Sequence, residues 1–226
     1  MNKFLENSFV PLYAITALLA LVKYPKYYTT SLKYLPIIFA YTFFNELLGI
    51  LILRNEEFSL FMNDRYSYYN VVIYNIYSII FYLYFYYVFW DHLQNERHKA
   101  LVLRAGLLFI IVSIINPIFQ NFMLEAQVYT YVVGALILLT CIVLYLLQLK
   151  NSGPTYSLKR DLLAWLSLGL SIFYIGYLPI KINRHYNAIH GLSEYVHLRK
   201  IHLSLILVMY TCFIIGFLRM RRRLSK

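Results

Sequence analysis

Apolar residues run along this chain in seven blocks, and nearly all of the charge falls between them. The blocks cover residues 8–22, 35–53, 70–90, 105–119, 128–149, 162–180 and 203–218. A helix needs about 20 apolar residues to cross a hydrocarbon core of about 30 Å. The first and fourth blocks are short, and each is expected to gain a turn, through Phe4–Leu5 and through Leu101–Leu103. In the second case Arg104 would snorkel to the headgroups. The pattern predicts an all-α fold, a polytopic membrane bundle of seven transmembrane helices forming a single integral membrane domain over residues 1–226. Residues 151–161, NSGPTYSLKRD, read as a turn region that opens the sixth helix.

The block at 70–90, NVVIYNIYSIIFYLYFYYVFW, carries 21 residues without a charge and has two faces on a helical wheel. Asn70, Tyr74, Tyr77, Phe81 and Tyr84 form one stripe, with Asn75, Ser78, Tyr82 and Tyr86 beside it. Val72, Ile73, Ile76, Ile80 and Leu83 lie on the far side. In lipid the polar-aromatic face belongs against other helices and the aliphatic face against acyl chains. This helix is therefore expected to be a central wall of the bundle.

Composition supports the membrane reading, since 61% of the residues are hydrophobic and 14% charged, against roughly 25% charged in soluble domains. The net charge of +11 is scattered in short pieces rather than gathered on one face, which argues for anionic lipid headgroups and against nucleic acid. The basic C-terminus is the main lipid contact expected. Fourteen of the 21 Lys and Arg residues fall in the pieces that share a side with the C-terminus. The C-terminus is therefore expected inside and, with an odd number of spans, the N-terminus outside. Cys141 and Cys212 lie within apolar blocks and read as small core residues. The start of the chain lacks a small-residue cleavage pattern, so no signal peptide is expected.

The candidate chemistry is sparse. Asn45 and Glu46 lie inside the second block, where a carboxylate costs roughly 3 kcal/mol to insert and normally faces the bundle interior with a partner. Glu46 is thus either a proton or ion-coupling group or an internal tie between helices. Residues 181–202, taken as the last outer loop, hold four of the six histidines. Within them Ser193 suits an N-cap, which would put Glu194 and His197 on one helix face. With His202 these are weak metal candidates, matching no zinc spacing. Asn116–Pro117 predicts a kink in the fourth helix, and Pro179 a similar feature near the end of the sixth. Glu46 and the tyrosine stripe together suggest a polar pocket in the outer half, lined by Asn45, Glu46, Asn75, Ser78, Tyr82 and Tyr174. Of the 24 tyrosines, those at block ends fit interfacial belts, whereas deeper hydroxyls need partners from the bundle or from a ligand.

No lysine sits mid-way along the seventh block, no Gly-rich phosphate loop occurs, and the pair His197-x-x-x-x-His202 is one residue longer than that of ceramidase-like hydrolases. No cofactor is expected. Three functions remain open. They are a non-enzymatic sensory or accessory subunit binding a ligand or membrane partner (another protein or a second copy), a small-solute or ion carrier using Glu46, and a metal-dependent membrane enzyme.

Three stretches, YNIYSIIFYLYFYYVF (74–89), KRDLLAWLSLGLSIFYIG (159–176) and IIGFLRMRRR (214–223), resemble an uncharacterised family of seven-span inner-membrane proteins common in Bacteroidetes-type bacteria. The resemblance implies a helical bundle in the cytoplasmic membrane of a bacterium, often encoded near signalling proteins. That family often carries Glu where this chain has Phe81, so any role of that carboxylate would be missing here or shifted to Glu46.

Overall fold

The computed structural model describes residues 3–54, 71–151, 161–193 and 196–220. Seven α-helices carry the chain: α1 Lys3–Lys23, α2 Leu35–Arg54, α3 Val71–His92, α4 Glu96–Ile115, α5 Val128–Asn151, α6 Leu162–Ile189 and α7 Val196–Arg219. All seven are long and apolar enough to span a bilayer, and no strand occurs among the described residues. The molecule is a seven-helix, multi-pass membrane bundle.

The helix ends follow their local chemistry. Asn95 caps α4 by accepting from the Arg97 amide at 2.9 Å. Asp161 caps α6 by accepting from Leu163 N at 3.0 Å, and its other carboxylate oxygen accepts from the Tyr145 hydroxyl of α5. The Lys26 ammonium donates to Met220 O at 2.9 Å, where a cation meets the negative end of α7. After α6, Gly191 adopts φ +65° and Leu192 N donates back to Asn187 O at 2.9 Å, a Schellman closure that favours glycine.

Two expectations are corrected. The fourth helix does not continue through Asn116–Pro117 with a kink; α4 stops at Ile115 and residues Asn116–Ile118 form a 3₁₀ turn. Proline lacks the N–H that would extend the α-helical ladder, and here the chain turns instead. Residues 181–202 are not a loop either. Helix α6 passes through Pro179 and runs to Ile189, and α7 begins at Val196, so Lys181, Arg184 and residues 196–202 are helical. In a bundle, neighbouring helices and local backbone adjustment accommodate an internal proline.

The packing makes a ring. Helix α1 packs on α2, α2 on α3, α3 on α5, α5 on α6, α6 on α7, and α7 returns to α1. Helix α4 lies outside that ring, against the seam of α3 and α5, with Ile110, Ile111, Ile114 and Ile115 exposed. Helix α3 is the wall the sequence suggested, with Phe81, Tyr82, Phe85, Tyr86 and Phe89 buried and Ile76 and Ile80 outward. Val72, placed on the lipid side by the wheel, is buried instead. Small residues allow the closest approaches. A Cβ at Gly169 would stand 2.8 Å from the Met209 carbonyl, and one at Gly134 would stand 2.6 Å from the Tyr82 ring.

Candidate functional site

Inside the six-helix ring, toward the end where α1, α3, α5 and α7 begin, lies a cavity of about 440 Å³. That size is in the range of small-molecule sites. Its wall carries eight tyrosines, including Tyr74, Tyr77, Tyr131 and Tyr177, and the ionisable side chains Glu46, Lys181 and His202. The arrangement follows from helix order. Glu46 comes from the second half of α2, Asn75 and Ser78 from the first turns of α3, and Lys181 and His202 from the α6–α7 end.

Five of the six candidates, Glu46, Asn75, Ser78, Tyr82 and Tyr174, line this cavity, and Asn45 does not. Asn45 is buried with its Oδ1 unbonded. The five differ in what their polar atoms do. Asn75 donates from Nδ2 to Phe122 O at 2.9 Å and Glu125 O at 3.0 Å, and accepts at Oδ1 from Gln127 N at 3.1 Å. Its amide is consumed in holding the α4–α5 connection. Ser78 donates back to Tyr74 O at 2.8 Å along its own helix. Tyr82 donates to Tyr131 O at 3.2 Å, and the rings of Tyr82, Tyr131 and Tyr174 meet with centroids 5.7–6.0 Å apart.

Glu46 is half-buried and takes one hydrogen bond, from the Tyr74 hydroxyl to Oε2 at 3.3 Å, long for an O–H···O contact. Next along α2, Thr42 donates to Ile38 O at 2.8 Å, so the Tyr77 hydroxyl 2.7 Å away must be the donor to Thr42. The Lys181 ammonium lies 5.3 Å from the centre of the Tyr131 ring. His202 stacks on Tyr177 with centroids 4.1 Å apart. Arg184 approaches His202 Nδ1 at 3.4 Å, and because guanidinium only donates, Nδ1 accepts and the ring proton sits on Nε2.

Of the metal candidates, Glu194 lies outside the described residues, His197 is exposed and His202 belongs to the cavity wall. Among the described residues no group of three His, Cys, Asp or Glu side chains is placed to hold a metal ion. The sequence did not single out Lys181 as a site residue, because a lysine just past an apolar block reads as interfacial. Its signal was the excess of basic residues in a supposed outer segment. Tyr13, Thr42, Gln127, Thr130 and Tyr210 also line the cavity without having been marked. No family model, curated protein or solved structure matches the chain.

Proposed function

We propose that this chain is a non-enzymatic, multi-pass protein of a bacterial inner membrane that takes a small organic ligand into the ring cavity as a sensory or accessory subunit. The observation that carries this reading is the cavity itself, about 440 Å³ bordered by six helices and lined by tyrosines with three ionisable side chains among them. Intramembrane ionisable groups are expensive and mark functional sites by default. Binding fits the lining better than catalysis does. Ser78 is bonded to its own helix, and neither cysteine lines the cavity. The test is a small-molecule stability screen on the purified protein in lipid nanodiscs. Ligands that raise the melting temperature of the wild type, and lose that effect when Ser78→Phe fills the cavity, support the reading. A screen in which every stabiliser acts equally on Ser78→Phe overturns it.

One observation favours a second reading, a carrier with Glu46 as coupling group. Glu46 lines the ring cavity from the second half of α2, and intramembrane carboxylates serve as ion or proton relays in transporters. Proton-coupled uptake into proteoliposomes that is undiminished in Glu46→Gln would sink that alternative.

A further inference from the structure

Two opposite charges, Glu46 and Lys181, line one cavity without forming a pair. Along the ring α2 sits between α1 and α3, and also meets α7 through Phe39, while α6 sits between α5 and α7, so Glu46 and Lys181 come from helices that are not ring neighbours. Among the described residues the one salt bridge is Lys99–Glu96, in the first turn of α4. Glu46 keeps most of its acceptor capacity, having only the long bond from Tyr74. Lys181 rests over a tyrosine ring, a contact that leaves its N–H donors available. His202 adds a neutral ring with an Nε2–H donor to the Lys181 wall. Aromatic rings, among them Tyr77, Phe81 and Phe173, line the same cavity.

We propose that the cavity selects a small zwitterion, its anionic group against Lys181 and its ammonium group against Glu46, with a short apolar body among the aromatic rings. The proposal rests on the ligand-binding reading above and names the ligand's chemical class. Its physical basis is charge balance at two partly buried ionised groups. An uncharged ligand would displace water from both ionised groups and pair neither. A ligand with a single charge would pair one group and strand the other, and a buried unpaired charge costs several kcal/mol. A dipolar, net-neutral ligand pairs both and leaves the cavity with the same net charge as before. An amino acid from solution and the headgroup of phosphatidylethanolamine share this ammonium–anion chemistry.

Three probes with one phenylethyl body separate these cases: phenylalanine (both charges), phenethylamine (cation only) and hydrocinnamate (anion only). Titration calorimetry is run on the whole protein in nanodiscs of phosphatidylglycerol. Phenylalanine is expected to bind at least about tenfold more tightly than either single-charge probe, the value of one hydrogen bond to a charged group. Glu46→Gln should erase its advantage over hydrocinnamate, which no longer leaves a carboxylate unpaired and should bind at least as tightly as before. Lys181→Met should erase its advantage over phenethylamine. The wild-type ranking alone decides the matter if either variant fails to fold. Phosphatidylethanolamine added to the discs that competes with phenylalanine supports the zwitterion with the headgroup as its source, and discrimination without competition supports it with a soluble source. Equal affinities, or tighter binding of a single-charge probe, overturn the zwitterion and leave the cavity reading standing. Failure of all three probes while the screen still yields Ser78→Phe-sensitive ligands does the same. Failure of both experiments removes the two readings together.

Discussion

Asn75 spends its whole side-chain amide on three backbone groups of the segment that joins α4 to α5. Replacing it by leucine leaves the Phe122 carbonyl and the Gln127 N–H without partners, and the Glu125 carbonyl with only a 3.5 Å contact from Gln127 Nε2, at about 1–3 kcal/mol for each buried group left unpaired. Asn75→Leu is therefore expected to lower stability by about 2 kcal/mol or more, read as a clear drop in the melting temperature of the protein in detergent or discs. Ser78→Ala is the contrasting change. The lost bond runs back to Tyr74 O on the same helix, and that carbonyl keeps its helical partner, so the expected cost is below about 1 kcal/mol. If the two variants melt alike, Asn75 is not the latch described here. The pair also shows what was legible at this scale. The wheel of residues 70–90 placed both side chains on the inward polar face, and that is where they lie. It could not tell that one is consumed by a connection some 50 positions away, because a hydrogen bond of that range is written in the packing and not in the local pattern.

At the scale of elements, the glycines decide how closely helices approach. Gly169 on α6 lies against α7, where an added Cβ would stand 2.8 Å from the Met209 carbonyl and 2.9 Å from the Phe213 ring. The obstacle is backbone, so Gly169→Ala must push the helices apart, at an expected cost of roughly 1–3 kcal/mol from overpacking. Gly106 on α4 is the matched control. Its added Cβ would meet nothing nearer than 3.8 Å, in ordinary contact with Tyr86. Gly106→Ala should be neutral, or stabilising by up to about 1 kcal/mol through helix propensity. Parallel melts of the two alanine variants decide this, and an equal response would refute the close α6–α7 packing. Element type was readable throughout, since uninterrupted apolar length can only be satisfied by helices in lipid. Element ends were not. The chain's charges marked 181–202 as loop, yet α6 carries Lys181 and Arg184 within its helix because proline inside a bundle need not end one.

For the whole molecule, the seven helices form a ring of six with α4 on its flank, and the cavity exists because the ring closes through α1 and α7. The charge count predicts a direction, with the C-terminus inside. A fluorescent protein fused after Lys226 is expected to light up and alkaline phosphatase at the same position to stay inactive; the reverse pattern would invert the bundle. In that predicted orientation the cavity would lie toward the outer side of the membrane. The sequence by itself determined the membrane, the number of spans, the inward face of α3 and the presence of a carboxylate that could not face lipid. Those properties follow from transfer free energies and helical periodicity, which are local. Only the tertiary structure decided that α4 stands outside the ring, that the cavity wall takes in Lys181 and leaves out Asn45, and that Glu46 and Lys181 reach one cavity from α2 and α6. Those are consequences of which helices close the ring. In lipid that choice rests on shape, small residues and interhelical hydrogen bonds, none of which has a period along the chain.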